Sequence, residues 1–447
     1  MQTDAGRAAT PAGSLLGNPS FVVALVVALV VALGFGLVVP VLPLFARAFG
    51  VGLFAVTLVV SVFAAVRLAS NIYAGALADR VGTRRAVAAG AMVVALSSLL
   101  TAGAPTYWAL VVLRGLGGFG SALFFTAMLS LVVRLVSADQ RGRAVGMLQA
   151  AFLLGLATGP SVGGMLAEPL GLRWPFVIYA AFCAAASAVA WRFLPRAGPA
   201  PAAQAVEGPE GEPLAVEPDG GRPRGAVALW RSTRRLCDDP AFVAALVMMA
   251  ASRWAVTGVR FALVPVFGAE VVGAGEAVVG YALTLAAVTH LLVVWPAGKV
   301  ADTLGRRPLA VPAYLVYAVV TLGLAFTTSV PAFLVVMALY GFGTGLSAVV
   351  PAAVVGDVVP ARGTGVGIGV LNTAGDLGSV LGPIVSGFLA QQAGYGWGFG
   401  ASAAVLALGA LAALTMRETL VERPRATSEG VSADVSGRAR GHGDRGR

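Results

Sequence analysis

Charge is what this chain has least of: 12% of its 447 residues are charged and 58% are hydrophobic, where a soluble domain carries about 25% charged residues. So few charges cannot dress a water-facing surface, and a soluble globular fold is excluded. Cys183 and Cys237 are the only cysteines, too few for a disulfide framework. The two histidines, His290 and His442, stand far apart without metal-ligand spacing. Neither a disulfide, a structural metal nor a cofactor is expected. A glycine-rich phosphate loop is missing, which argues against ATP-driven work by this chain alone. Also missing are the His, Asp or Cys clusters, or a nucleophile beside its base, that a membrane enzyme needs, so the chain is not read as an enzyme. A receptor is disfavoured because no soluble sensor domain is appended. The first twenty residues hold one Arg and one Asp, and the apolar run after them is too long for a cleavable signal.

What is present is long uncharged runs. Residues 21–45 and 48–66 contain no charge, and a spanning helix needs about 20 apolar residues. Apolar runs between charged or Pro/Gly-rich breaks predict an all-α polytopic membrane protein of twelve spans. Their bounds are 20–45, 54–77, 86–104, 107–133, 144–167 and 174–194, then 241–267, 277–298, 309–328, 331–355, 364–390 and 395–416. The domains expected are an N-terminal tail at 1–19, a six-helix bundle at 20–194, a linker at 195–240, a second bundle at 241–416 and a tail at 417–447. Pro, Gly, Ala and Glu crowd 195–224, which reads as disordered. Val227, Leu229, Trp230 and Leu236 alternate with Arg231, Arg234 and Arg235 as in an interfacial helix, and Asp239-Pro240 reads as a cap and first turn for span seven.

The net charge of +10 is a matter of topology rather than of nucleic-acid binding. With both termini cytoplasmic, 25 of the 31 Lys and Arg, Arg192 at the cytoplasmic end of span six included, fall in cytoplasmic segments and only Arg47 and Arg173 outside, a strong positive-inside bias. The expected location is the cell membrane.

One pattern occurs twice. Gly75-Ala-Leu-Ala-Asp79-Arg-Val-Gly82-Thr-Arg84-Arg85 is answered 223 positions later by Gly298-Lys-Val-Ala-Asp302-Thr-Leu-Gly305-Arg306-Arg307. The same offset joins Gly118 to Gly341, Gly120 to Gly343 and Arg67 to His290, and, beyond a local two-residue slip between Arg141 and Arg362, also Gly159-Pro160 to Gly382-Pro383. The chain is a duplicated half, as in transporters built of two parallel repeats around a central pathway.

Over residues 20–416 the sequence resembles the major facilitator superfamily, and within it the twelve-span drug:proton antiporters. The resemblance implies two pseudo-symmetric six-helix bundles and a monomer that exports a small amphiphile by alternating access with proton antiport; a symporter or uniporter on the same fold is the alternative. The two repeated turns resemble the superfamily's signature between spans two and three, which assigns gating to Gly75, Asp79, Gly82, Arg84, Gly298, Asp302, Gly305, Arg306 and Arg307. Asp79 is expected to cap the start of span eleven near Thr364. The family often places a basic residue after the second glycine, where this chain has Thr83, so Arg84 is the substitute candidate. Arg114, leading Gly115 to Ala122 in span four, resembles the family's proton-coupling arginine, with helix bracing as the plainer role. Gly155, Gly159, Pro160, Gly163 and Gly164 match the exporter motif, whose small residues let a facing helix approach closely.

Arg67, Arg114, Arg253, Arg260 and His290 lie within predicted spans, where Asp376 is the only acid. Buried ionisable groups in membranes mark pathways. In this fold spans two and eleven pack together. Arg67 stands twelve residues before Asp79 and Asp376 twelve residues into span eleven, so each is about 18 Å from the cytoplasmic end. Arg67 is therefore expected to pair with Asp376, with Arg260 as the other possible partner; protonating Asp376 would loosen the pair. His290 is a second proton candidate or a packed neutral side chain. Span one lacks an acid, so neutral or anionic amphiphiles fit better than cations. Trp254, Phe261, Tyr281, Trp295, Tyr340 and Phe342, with Arg253 and Arg260, are the candidate cavity lining.

Overall fold

The computed structural model describes residues 15–137, 140–195, 233, 234, 236–360 and 364–420. Its twelve membrane-length helices are α1 (Pro19–Arg47), α2 (Leu53–Val81), α3 (Thr83–Ala102), α4 (Tyr107–Leu135), α5 (Arg141–Leu170) and α6 (Trp174–Phe193), then α7 (Pro240–Glu270), α8 (Glu276–Leu304), α9 (Arg306–Phe326), α10 (Val330–Val358), α11 (Thr364–Ala393) and α12 (Tyr395–Thr415). The expected tail at 1–19 and linker at 195–240, interfacial helix included, lie largely outside the described residues. Several helices run past the apolar stretches that predicted them, because a helix end at headgroup depth tolerates charge. Thus α3 opens with Arg84 and Arg85 in its first turn.

Local chemistry sets the helix ends. Asn18 accepts from the amides of Ser20 and Phe21 ahead of α1, Thr106 caps α4, and Asp239 accepts from Ala241 with Pro240 in the first turn of α7, as expected. The duplication is also written in the backbone. Among the described residues the positive-φ glycines are Gly50 and Gly273, Gly82 and Gly305, and Gly171 and Gly394, three pairs that share the sequence offset of 223. Each pair makes the same turn in each half, in a region that side chains other than glycine rarely adopt.

Within the first half α1 packs on α5 and α6, and α4 on α2 and α3; in the second, α7 packs on α11 and α12, and α10 on α8 and α9. Two seams join the halves, α2 against α11 and α5 against α8. The expected tail differs from the structure at its start, where Arg417 pairs with Asp239 at 2.9 Å and Glu418 binds the first turn of α9. Asn18 donates to the Leu135 carbonyl at 3.4 Å, and the described ends of the chain at Leu15 and Leu420, with Pro195 and Leu236 at the borders of the linker, lie on one face, called here the terminal face.

Candidate functional site

The polar contacts that cross the seams gather toward one end. Away from the terminal face, Arg47 Nε donates to Glu270 Oε1 at 2.6 Å, Tyr395 donates to Glu270 Oε2 at 2.6 Å, and Phe54 N–H donates to Gln391 Oε1 at 3.0 Å. Deeper, Ser161 N–H donates to Thr284 Oγ1 at 2.9 Å and Ser61 to the Val380 carbonyl at 2.8 Å. Toward the terminal face Gly142, Gly146, Gly298 and Gly369 have open space where a Cβ would stand, as Gly50, Gly171, Gly273 and Gly394 do at the distal turns. What distinguishes the faces among the described residues is that these polar contacts between the halves gather on the distal side.

Small residues make the distal closure possible. A Cβ on Gly155 would stand 2.7 Å from the Leu29 carbonyl oxygen and one on Gly159 would stand 2.5 Å from Gly36 Cα, while Gly163 presses on the Leu37 carbonyl. These three bind α5 to α1 within one half. Gly164 meets the Glu276 carbonyl and Gly280 meets that of Pro160, so the next face of α5 carries the seam with α8. The close approach expected of Gly155, Gly159, Pro160, Gly163 and Gly164 is thus present, against two partners.

Between the halves lie two adjoining cavities. One, of about 140 Å³, is lined by Arg67, Arg253, Phe261 and Asp376 and by the first-half aromatics Phe35, Phe63, Phe124, Phe125, Phe152 and Tyr179. The other, of about 260 Å³, is lined by Arg253, Arg260, Phe261, His290, Tyr317 and Thr344. Arg253 and Phe261 face both. α7 is a π-helix over Ala255–Leu263, a distortion common at functional sites, and it turns Arg260 inward.

The charges come together, though not as expected. Arg67 and Asp376 share a cavity, but Asp376 Oδ2 accepts from Asn71 Nδ2 at 3.3 Å. Among the described residues neither Arg67 nor Arg260 comes within ion-pair distance of it. The depth estimate holds while the direct pair does not, because Asn71, one turn nearer the terminal face, takes the carboxylate. Arg67 lies over the Phe125 ring at 5.3 Å and Arg114 over Phe63 at 4.7 Å. Arg114 lies behind Phe63 and lines neither cavity. Bracing falls to Arg260, which donates to the Leu283 carbonyl at 2.8 Å. His290 Nδ1 is 3.1 Å from Thr344 Oγ1. The Nε atoms of Arg67, Arg114 and Arg260 are buried with no hydrogen-bond partner among the described residues.

Of the six candidate lining aromatics, only Phe261 lines these cavities. Trp254 donates to Ser402 at 3.2 Å inside the second bundle, and Tyr340, fully buried, donates to the Ala255 carbonyl at 2.8 Å. Tyr281, Trp295 and Phe342 are exposed apolar surface, Trp295 lying under Lys299. Nothing in the sequence marks the first-half aromatics that line the site, since an all-apolar helix gives no periodic signal of which side is wet.

The repeated turns resolve into different networks. Arg306 donates to Asp302 at 2.6 Å and to Asp357 at 3.0 Å. Asp79, expected at the start of α11, pairs with Arg134 of α4 at 3.2 Å; residues 361–363, ahead of α11, lie outside the described residues. Arg84 does not take the family's charge position; its guanidinium lies over Trp191 at 5.2 Å. Positions 134 and 357, related by the offset, carry opposite charges. With Thr83 where the second copy has Arg306, the acid Asp79 is met by Arg134 instead.

The Major Facilitator Superfamily profile matches residues 24–275 and 242–440. "Multidrug resistance protein 2" of Bacillus subtilis is 31% identical over 145 residues, 32% of this chain and 36% of that protein. "Quinolone resistance protein NorA" of Staphylococcus aureus is 28% identical over 144 residues, 32% of this chain and 37% of that protein. Each alignment thus spans little more than a third of the relative. Among solved structures, a bacterial homolog of the human lysosomal transporter Spinster, inward-facing and unoccupied, superposes with a TM-score of 0.69 at 15% identity, covering 88% of this chain and 95% of that one. The human organic anion transporter MFSD10 superposes with a TM-score of 0.59 at 20% identity, covering 89% and 100%. These likenesses concern the fold.

Proposed function

The chain belongs to the Major Facilitator Superfamily, and on that premise we propose that it is a secondary transporter that exports a small amphiphile in exchange for protons. One observation carries the reading: a central cavity between two seams whose cross-half polar contacts gather on the distal face, with Asp376 as the single acid in its lining among the described residues. The basic turns at Arg84, Arg85, Arg306 and Arg307 make the terminal face cytoplasmic, so the conformer is inward-open and ready to load from the cytoplasm. The resistance proteins among the relatives favour an amphiphilic drug or metabolite as cargo. Asp376 is the proton site. In its ionised form it offsets the cavity's guanidinium charge, and protonation from the distal side resets the carrier.

A second reading is favoured by the excess of Arg67, Arg253 and Arg260 over one acid. An anionic substrate and ionised Asp376 draw on the same guanidinium charge. The anion binds best when Asp376 is protonated, and the two move together as symport. Purified protein in liposomes with an imposed pH gradient, offered neutral, anionic and cationic test compounds, separates the readings. Antiport accumulates substrate in an acidic lumen and symport depletes it; indifference to the gradient refutes both.

A further inference from the structure

We propose that the two central cavities form one bipartite site for an aromatic carboxylate, its ring in the first-half chamber and its acid group on Arg260 and Arg253 in the second-half chamber. The proposal rests on the reading of these cavities as the transport site and names the chemical class of the cargo.

Charge divides the two chambers. The smaller sets Arg67 against Asp376, one cation against one acid, with Arg253 on its border. The larger is lined by Arg253, Arg260 and His290 and, among the described residues, by no Asp or Glu. A guanidinium stays protonated in any protein environment, so Arg260 carries its charge within a membrane-spanning helix. No carboxylate among the described residues lies within ion-pair distance of it or of Arg253. A buried charge left without its opposite is costly, and the counter-charge that would relieve it has to come from outside the chain.

Arg260 is placed to meet that anion. It is 6% exposed, its Nη2 is held by the Leu283 carbonyl at 2.8 Å, and its Nε has no partner. The polar groups around it are already engaged. Thr344 donates to the Gly341 carbonyl at 2.8 Å, so His290 Nδ1 is the donor in its contact with Thr344. Tyr317 donates to Tyr340 at 3.0 Å, and Tyr340 donates to the Ala255 carbonyl at the start of the π-helical segment. An unpartnered Nε is not enough by itself, since Arg114 has one and lines neither cavity. Arg260 differs in facing open volume beside a second guanidinium. A planar carboxylate matches planar guanidiniums in both shape and charge.

The first-half chamber selects the other end of the molecule. Phe125 and Phe152 meet edge to face with ring centroids 4.6 Å apart, and Phe35 and Phe63 lie 5.8 Å apart. Such walls favour a flat apolar ring. Phe261 and Arg253 face both chambers, so a short chain passing them joins the ring to the acid. A cationic amphiphile would leave Arg260 unpaired, and an inorganic anion would leave the aromatic walls unused.

Equilibrium dialysis of the full detergent-purified chain at neutral pH, with protein-free micelles as the blank, tests the site using 4-phenylbutanoate, 4-phenylbutanol, 4-phenylbutylammonium and butanoate. The wild type should bind the phenyl acid saturably and about tenfold tighter than the alcohol, the lower end for a hydrogen bond to a charged group. The ammonium compound and butanoate should bind no better than the alcohol. Arg260→Gln should erase the preference for acid over alcohol; Arg253→Gln should lower it, and decides the matter if the first variant does not fold. Phe152→Ala should weaken the phenyl acid about tenfold by opening the aromatic wall. The proposal is overturned by the absence of saturable binding at millimolar acid, by an alcohol or ammonium compound bound as tightly, or by a folded variant that binds as the wild type does. Displacement by equimolar chloride or butanoate overturns it too, since the guanidiniums would then hold a small anion with no use for a ring. Binding is read without a gradient, so these outcomes leave proton-coupled transport standing, and indifference to a gradient in liposomes leaves the binding preference standing.

Discussion

The distal gate offers a sharp test, because its central ion pair joins equivalent positions of the two halves. Arg47 and Glu270 are 223 residues apart, the offset that relates the repeats, so the pair sits where the pseudo-two-fold axis leaves the protein. Glu270→Gln keeps the shape and removes the charge. The side chains are 40% and 34% exposed, and a pair so hydrated contributes at most about 1 kcal/mol. The Tyr395 hydrogen bond to Glu270, 2.6 Å long, lies within the second half and is made whether the gate is closed or open. The change, about 1 kcal/mol, is about fivefold in the ratio of distal-closed to distal-open molecules. Spin labels at Ala48→Cys and Val271→Cys, in a Cys237→Ser background, report the gap by double electron–electron resonance. Glu270→Gln should populate a longer distance, and the exchange Arg47→Glu with Glu270→Arg should restore the short one. An unchanged distribution in Glu270→Gln, or a charge exchange that restores nothing, refutes the assignment of this pair as the gate.

Asp376→Asn should abolish pH-driven transport in liposomes by at least tenfold while leaving substrate binding measurable; full pH-driven transport would remove Asp376 from the coupling. Gly280→Leu places bulk against the Pro160 carbonyl and should part the α5–α8 seam at a cost of about 1–3 kcal/mol, seen as faster maleimide labelling of a cysteine at Glu276. Glu418 tests the terminal clip. Burial works against its charge, but the amides of Leu420, Arg306, Arg307 and Thr419 outweigh burial and hold its carboxyl below the usual range. A depressed pKa stabilises above the unfolded value and is lost as pH falls through the folded one. Hydrogen exchange at the Arg306 and Arg307 amides should therefore stay slow at neutral pH and quicken only below the ordinary glutamate range, while Glu418→Gln quickens it already at pH 7.

Span positions were legible because a bilayer demands long uncharged runs, and the repeat was legible because each half must turn at the same places. The 223-residue offset read from Gly75 and Gly298 reappears as three pairs of left-handed glycines. The close packing of Gly155, Gly159, Gly163 and Gly164 was legible too, since small residues four apart predict a backbone contact whatever the partner is. The cavity lining did not carry over. Phe35, Phe125 and Phe152 face the site while Tyr281 and Trp295 do not, and a sequence apolar on every side cannot separate water, protein and lipid.

The duplication also constrains which charges of the two halves can meet. Two equivalent positions can touch only if both lie on the axis that relates the halves. Arg47 and Glu270 meet this condition and form an ion pair. Arg134 and Asp357 carry the same kind of charge inversion off the axis, and each pairs inside its own half, with Asp79 and with Arg306. The offset alone therefore selects candidates for a central gate, and depth decides among them: Arg47 is at the distal end of α1, and Arg134 is in the last turn of α4 at the terminal face. Divergence after duplication has placed opposite charges where the halves meet on the axis. Off it, each half has settled its own balance, which is why Thr83 in the first turn could lose the charge that Arg306 keeps in the second.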